Sequence, residues 1–194
     1  VFAGFGGSIH SAIGSTGGSG HTIKVSNGLM MVDPRLAAMG IRMILKKNTL
    51  PTIGNLKQCD SNDYELLRIT SGVPDGVQDM QFQKTILLEA GFDELKGICW
   101  KKGCYMGQEL TARTKYRGLI KRRLIPVSVD GPLPEPGTFI MFGEKEAGEI
   151  RSGVGNAAMA LMRLNILEEW SRLGGELTAG SSCVMPQKQS WMNF

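Results

Sequence analysis

The first part of the chain alternates apolar and polar residues over short stretches. Residues 21–33 contain two such stretches, separated by Asn27-Gly28, which is the strongest short-range signal for a hairpin turn. The pattern therefore predicts a β-hairpin with its turn at these two residues. The apolar run at residues 41–45 predicts a further strand.

Two helices are predicted in the same region. The first begins at Asp33-Pro34, with Asp as the N-cap and Pro at the first helical position, and ends at Gly40. The second begins at Asp60 or Ser61, and the Gly- and Pro-containing turn signals that start at residue 71 end it. Each helix carries an apolar side that would face a core.

From Arg122 onward the pattern changes to short strands that Pro and Gly separate. The predicted strands are residues 124–129, 139–142, 148–151 and 157–164. Short strands at this spacing predict a small β-barrel or sandwich. The fold class is therefore α+β, with residues 1–120 forming an α+β domain and residues 121–194 a β-barrel domain.

Composition narrows the class of protein without defining a function. The 194 residues are 42% hydrophobic and 21% charged, as in ordinary globular proteins, and the net charge of +4 is too small to indicate a nucleic-acid partner. The apolar runs are well below the roughly 20 residues of a spanning helix, so no membrane partner is expected. Residues 4–20 are rich in Gly and Ser, which predicts a flexible loop. The Val1 start and the strand-like opening predict a fragment or a processed chain.

The cysteines and histidines argue against a metal site made by this chain alone. The chain has four cysteines and no CxxC pair, which favours a reducing compartment over a disulfide framework. The two histidines, His10 and His21, belong to the Gly-rich loop and its end, and do not form a zinc set with Cys99 and Cys104. Cluster ligation would need all the cysteines together or a second chain.

Cys104 is the most chemically interesting cysteine. It follows Lys101 and Lys102, and nearby ammonium groups favour the thiolate, which is the nucleophile and the metal ligand. Gly103 and Gly107 flank it and allow a tight turn. The alternative is an inert buried thiol, the usual fate of a free cysteine.

Two further groups of residues have alternative interpretations. Glu89 can accept two adjacent N–H donors from one ligand edge, or it can be a solvated helix residue near Asp93 and Glu94. Gln108, Glu109 and Arg113 have near-helical spacing. They either line a ligand cavity, or Glu109 and Arg113 form a surface ion pair.

Positive charge is concentrated in eleven residues near the predicted domain boundary. The basic stretch consists of Arg113, Lys115, Arg117, Lys121, Arg122 and Arg123. It is a solvated face, or it attracts ligand carboxylates, or it contacts RNA with Tyr116 as a stacking group. RNA ranks last, because no RNA-binding module is recognisable.

Residues 102–109, with the sequence KGCYMGQE, resemble the K-G-C-Y-x-G-Q-E signature of the YgfZ-type proteins. Those proteins are relatives of the glycine-cleavage T-protein, and the family includes a mitochondrial iron–sulfur assembly factor. Further family-like segments follow in the same order: DPRL at 33–36, RI at 68–69, GVP at 72–74 and LEAG at 88–91. The resemblance covers the chain from about residue 21 and is weakest in residues 1–20 and 165–190. Family members normally carry roughly a further domain on the N-terminal side.

The resemblance implies a T-protein-like folate-binding domain with tetrahydrofolate, or another reduced folate, as cofactor. Glu89 would accept the pterin ring, Cys104 would act as the thiolate, and Lys102 would activate it electrostatically. The remaining residues implied at the folate site are Tyr105, Gly107, Gln108, Glu109 and Arg113.

The resemblance also implies a function. It is that of an accessory factor for assembly or repair of iron–sulfur clusters, with iron–sulfur assembly proteins and client [4Fe–4S] enzymes as partners. An effect on tRNA modification would be indirect, and the location would be the bacterial cytoplasm or the mitochondrial matrix. The first alternative is a tetrahydrofolate-dependent aminomethyltransferase, and the second is a non-catalytic interaction module. The enzyme ranks below the accessory factor because the chain shows no obvious acid/base residue for folate chemistry.

Overall fold

A computed structural model describes residues 1–7, 9, 13–14, 18–51, 56–118 and 120–194. The chain divides into two compact units, Val1–Leu67 and Arg68–Phe194. The domain boundary that the sequence predicts near residue 120 coincides with the start of the barrel strands. That residues 1–120 and 121–194 are separate domains stays a prediction. His10 and part of the Gly/Ser-rich loop lie outside the described residues.

The first unit contains a four-stranded antiparallel sheet in the order β1-β4-β3-β2. Its strands are β1 Phe2–Gly4, β2 Thr22–Val25, β3 Gly28–Val32 and β4 Ile41–Leu45. The predicted hairpin is confirmed, although its turn residues are Ser26 and Asn27, because Val25 pairs directly with Gly28. A Cβ atom on Gly28 would lie 2.0 Å from the Ile44 carbonyl oxygen, so the strand pairing itself requires glycine there.

The helix predicted from Asp33 to Gly40 is wrong. Only a 3-10 turn forms, at Ala37–Met39, and its N-cap is Leu36. Asp33 is already engaged, since its backbone N–H donates to the Gly40 carbonyl at 2.9 Å and so closes the connection between β3 and β4. The eight residues 33–40 must return β4 beside β3, and this requirement overrides the local capping signal.

The Asp33 carboxylate forms a buried ion cluster with two arginines. It accepts from the Arg35 side chain and from Arg42 Nε, each at 2.8 Å, and only 1% of its side chain is exposed. Arg35 also donates to the Tyr64 hydroxyl at 3.0 Å. Burial alone would raise the pKa of Asp33, but the hydrogen bonds and charges of Arg35 and Arg42 hold it below its usual value.

Asp33→Asn should loosen the first unit in a pH-dependent way. At neutral pH the variant should lose about 1–3 kcal/mol, because two guanidinium groups lose a buried anion. The folded-state pKa is lowered, so this contribution is complete above about pH 4, the ordinary pKa of Asp. It disappears as the pH falls through the folded-state pKa. Hydrogen exchange of β3 and β4 amides across this range measures it in the full-length protein. Asp63→Asn removes an exposed carboxylate of the same unit, and equal losses of protection in both variants would contradict the expectation.

The second predicted helix is confirmed as α1, Ser61–Thr70. The Asp60 carboxylate accepts from the Asn62 N–H at 2.8 Å, as an N-cap does. The sequence did not reveal that Arg68 is fully buried near the end of this helix. Its guanidinium donates to Asp79 at 2.6 Å and to the Ser152 hydroxyl at 3.0 Å, and that hydroxyl donates to Asp79 at 2.5 Å. This network ties residues 68–79 to the barrel.

The second unit is built on a closed antiparallel barrel in the order β10-β5-β8-β7-β6-β9. Its strands are β5 Arg122–Asp130, β6 Phe139–Phe142, β7 Lys145–Val154, β8 Ala157–Arg163, β9 Leu177–Ala179 and β10 Ser182–Pro186. Strands β5 to β8 were predicted, whereas β9, β10 and the helix α3, Leu164–Leu173, were not. The α+β class with a C-terminal barrel is confirmed. No helix among the described residues has the length and apolar character needed to cross a membrane.

Residues 187–194 follow the last barrel strand and pack against the segment that precedes the barrel. Trp191 Nε1 donates to the Ser71 carbonyl at 2.9 Å, and Met192 is buried. Gly72, with φ of +74°, ends α1 here, and a Cβ on it would lie 2.4 Å from the Met192 side chain. A second apolar cluster, separate from the barrel core, packs Ala90, Met80 and Phe92 against Leu124, Met159 and Leu161 of the barrel strands.

Candidate functional site

The loop that carries Cys104 precedes the helix α2, Gln108–Tyr116. Cys104 is exposed, so it is not the buried thiol of the alternative interpretation, and its reactivity stays a prediction. Gly107 is the N-cap of α2 and has φ of +83°, a left-handed conformation that favours glycine. The tight turn predicted at this glycine is confirmed. The loop thus places a free thiol at the surface, three residues before the helix N-cap.

Two predicted site residues, Lys102 and Gln108, each contact a third, Tyr105, in this loop. The Tyr105 backbone N–H donates to Gln108 Oε1 at 3.3 Å, and Lys102 Nζ lies 4.7 Å from the centre of the Tyr105 ring. This is the distance of a cation–π contact. The Tyr105 hydroxyl is buried and has no hydrogen-bond partner in the described part of the chain. Such a hydroxyl carries a desolvation cost that a partner would remove.

Glu109 and Arg113 form an i,i+4 ion pair on the exposed side of α2. This is the surface pair that the spacing offered as one alternative, and pairs of this kind contribute only a few tenths of a kcal/mol. Met106 is fully exposed and Leu110 largely so. A role for Glu109 and Arg113 in a ligand site stays a prediction.

Glu89 is buried and lies in a turn-rich segment, so the alternative of a solvated helix residue is wrong. Its carboxylate accepts from Arg122 Nε at 3.2 Å and from Arg122 Nη2 at 3.3 Å. Its backbone carbonyl accepts from the Leu124 N–H at 2.8 Å. The turn segment is therefore fixed to the first residues of β5 through both backbone and side chain.

Asp93 lies at the centre of a second group of contacts. Its carboxylate accepts from Trp100 Nε1 and from Lys115 Nζ, each at 2.5 Å, and Lys115 also lies 4.3 Å from the Trp100 ring centre. Burial would raise the pKa of Asp93, but the hydrogen bonds from Lys115 and Trp100, helped by the charge of Arg123, hold it below its usual value. Asp93 is therefore an anion at neutral pH and is a poor proton donor.

Four of the six members of the basic stretch have acidic partners. Arg113 pairs with Glu109, Lys115 with Asp93, Arg122 with Glu89 and Arg123 with Glu94. Arg123 is buried, and it also donates to the Leu88 carbonyl at 2.8 Å. We call the three inner pairs, which join residues 89–94 to Lys115, Arg122 and Arg123, the charge cluster. Much of the positive charge of the basic stretch is thus paired with carboxylates of the protein itself.

The described part of the chain contains a cavity in each unit that no predicted site residue lines. The first unit has a small one of about 60 Å³ beside β2 to β4. The second unit has an open one of about 610 Å³ in the turns that follow α1, where Val77 and Phe82 are exposed. Its lining residues are Gly76, Val77, Gln78, Met80, Gln81, Phe82 and Lys84.

The four cysteines are all free and exposed. Among the residues that the structure describes, no group of three or more His, Cys, Asp or Glu side chains is arranged to hold a metal ion. Cys59, Cys99 and Cys183 thus share the exposure of Cys104 but lack its place in a Gly-flanked loop before a helix. This difference makes Cys99 a matched control for Cys104.

Comparison with known proteins assigns the barrel to a class. Residues 121–194 match the model of the CAF17 C-terminal beta-barrel domain. The chain is 36% identical over 141 residues to the mouse mitochondrial iron–sulfur cluster assembly factor IBA57. The aligned region covers 70% of this chain and 39% of that protein. The human factor is 36% identical over 139 residues, covering 69% of this chain and 39% of its own length. The Dictyostelium discoideum homolog is 43% identical over 102 residues, covering 50% and 25%.

The barrel match and the similarity to these assembly factors support the resemblance to the YgfZ-type family that the Cys-containing motif indicates. The chain spans 39% of the length of the mouse and human relatives that it matches. The activity of these longer relatives is therefore only proposed for this chain.

Arg123→Gln should destabilise the second unit strongly. The substitution leaves the Glu94 carboxylate and the Leu88 carbonyl without their buried cationic donor, which costs about 3–5 kcal/mol for a broken buried pair. Urea unfolding of the full-length protein, followed by tryptophan fluorescence, measures the loss. Arg117→Gln changes an exposed member of the same basic stretch and should cost less than about 0.5 kcal/mol. Similar midpoints for the two variants would show that the charge cluster does not stabilise the fold.

Proposed function

We propose that the protein is an accessory factor for the assembly or repair of iron–sulfur clusters in [4Fe–4S] enzymes, and that it binds a reduced folate. Its partners are iron–sulfur assembly proteins and the client enzymes, and any effect on tRNA modification passes through those clients. The names of its mouse and human relatives support this role and favour the mitochondrial matrix as its location.

The exposed thiol of Cys104 is the observation that carries the proposal. A thiolate is the usual protein ligand of iron–sulfur clusters, but one exposed thiol needs ligands from another protein to hold a cluster. The Gly-flanked loop presents this thiol without any covering side chain at Gly103 or Gly107. Lys102 lies two residues away and keeps a positive charge in the same loop, although its ammonium group rests on Tyr105. The cluster is cargo in this proposal and not a resident cofactor.

The residues around Glu89 suit the pterin edge of a reduced folate. A pterin presents a ring N–H and an amino group side by side, and Glu89 already accepts two adjacent donors from Arg122. The buried Tyr105 hydroxyl is a second polar group with no partner in the described residues. In the proposed site Glu89 and Tyr105 hold the ligand, with Gln108 fixing the Tyr105 backbone. A bound reduced folate supplies nitrogen atoms that carry one-carbon groups.

Cys104→Ser should abolish support of client enzymes without unfolding the protein. The thiol is exposed, so its replacement by a hydroxyl should change stability by less than about 0.5 kcal/mol. The measurement is the activity of a [4Fe–4S] dehydratase in cells that depend on the full-length variant. We expect the variant not to raise the dehydratase activity, whereas the unchanged protein raises it.

Cys99→Ser is the matched control for this experiment. Cys99 is also free and exposed and lies five residues before Cys104 in the chain. It should keep full support. If Cys104→Ser also keeps it, the thiol has no part in cluster maturation and the proposed role of the loop is wrong.

Tyr105→Phe separates ligand binding from stability. Removing a buried hydroxyl without a partner should leave the free energy of unfolding unchanged or slightly raised. Affinity for tetrahydrofolate should fall about 2- to 10-fold, which corresponds to one net hydrogen bond. Anaerobic calorimetry on the full-length protein measures it.

Glu89→Gln provides the stronger test of the same site. An amide cannot accept both pterin donors, so tetrahydrofolate binding should become undetectable at concentrations that saturate the unchanged protein. Glu144→Gln removes an exposed carboxylate of the barrel that belongs to no predicted site, and it should bind with affinity within about twofold of the unchanged protein. Binding that survives Glu89→Gln would place the pterin elsewhere.

A further inference from the structure

Among the described residues, only the Arg122 side chain donates hydrogen bonds to the Glu89 carboxylate. The two hydrogen bonds, at 3.2 and 3.3 Å, are longer than the roughly 2.7–2.9 Å of good charge-assisted pairs. The two partners also differ greatly in exposure. The Glu89 side chain is 5% exposed, whereas the Arg122 side chain is 46% exposed. The pair is therefore a buried anion closed by a loosely held, half-solvated cation.

The backbone around this pair is fixed on both sides. The Glu89 carbonyl accepts from the Leu124 N–H at 2.8 Å, and Arg123, beside Arg122, is buried against the Leu88 carbonyl. The two residues therefore cannot separate by a movement of the strand. Rotation of the Arg122 side chain into solvent is the movement that the packing leaves free.

Such a rotation is costly unless a ligand replaces the guanidinium. It would leave a buried carboxylate without its cation, and a buried charge without a partner is strongly unfavourable. A replacement must present two parallel N–H donors, as the Arg122 Nε–H and Nη2–H do. The pterin edge has this pattern, with a ring N–H beside an amino group.

We propose that Arg122 is a gating residue, which mimics the pterin edge and must leave Glu89 before a reduced pterin binds. Gating in this sense rests on the folate binding proposed above and adds a regulation of that same site. The guanidinium keeps the carboxylate compensated in the free protein. The guanidinium also excludes ligands that cannot offer two donors, because only a ligand with two donors compensates the carboxylate for the loss of the ion pair.

The gate has two opposite effects on a complete folate. Its displacement costs affinity at the pterin ring. The displaced guanidinium then stands as a free cation next to Arg163, its cross-strand neighbour, and attracts the carboxylates of a folate glutamate tail. A pterin without that tail isolates the first effect.

The test uses Arg122→Met in the full-length protein and 6-methyltetrahydropterin, which has no glutamate tail, as the probe. Calorimetry should show about 3- to 10-fold tighter binding than to the unchanged protein, since the ligand no longer competes with an internal cation. Binding of 5-formyltetrahydrofolate should gain less, and its dependence on salt should weaken, because the tail loses a cation.

Arg163→Met is the matched control. Its side chain is also 46% exposed and it lies opposite Arg122 in the barrel, but it pairs with Glu146. It should leave the affinity for 6-methyltetrahydropterin unchanged. Arg122→Lys keeps the charge without the two-donor fork, so it tests the gate if the methionine variant folds poorly, and it should also bind more tightly.

Each outcome distinguishes the gate from the site. Unchanged or weaker binding of 6-methyltetrahydropterin by both Arg122 variants would overturn gating and would make Arg122 a structural or ligand-contacting residue. Loss of binding by every form of the protein, including the unchanged one, would overturn the proposed folate function itself. Tighter binding by Arg163→Met as well would reduce the effect to general electrostatics.

Discussion

The structure of the second unit depends on the buried guanidinium of Arg123. This one side chain holds the Leu88 carbonyl and the Glu94 carboxylate, and it also lies 5.1 Å from the Phe194 ring. A buried cation of this kind needs its partners, and the partners in turn fix the turn-rich segment that has no regular secondary structure of its own. The segment that carries Glu89 is therefore positioned by the barrel.

Asp93 extends the same principle to the cysteine loop. Trp100 and Lys115 stand on the two sides of Cys104 in the chain, and both donate to the Asp93 carboxylate. The loop of residues 101–107 therefore lies between two anchors on one anion, Trp100 just before it and Lys115 in the helix α2 that follows it, although Gly103 and Cys104 are exposed. An anchored but open loop can present a thiol to another protein with little loss of conformational freedom on binding. The charge cluster therefore connects the two chemically distinct parts of the candidate site.

Local sequence signals predict the helices and strands correctly where neighbouring residues determine the structure. The hairpin of β2 and β3, the start of α1 at Asp60 or Ser61 and the strands β5 to β8 were all predicted. The signal at Asp33-Pro34 failed because a distant pairing, β3 with β4, demanded the residues that the helix would have used. Helix α3 was missed, although Ile166, Leu167 and Trp170 lie at helical spacing and pack against the barrel core.

Buried ion pairs are the part of the site that the sequence could not reveal. The motif resemblance led to Cys104 and Glu89, but nothing in the local sequence relates Glu89 to Arg122, thirty-three residues later. Charge patterns along a chain record how many cations are close in sequence and not which anions they meet in space. The basic stretch illustrates this, since Lys115, Arg122 and Arg123 serve residues 89–94 before they can serve any ligand. Any anion that binds this surface must either use the exposed remainder, such as Arg117 and Lys121, or compete with a carboxylate of the protein itself.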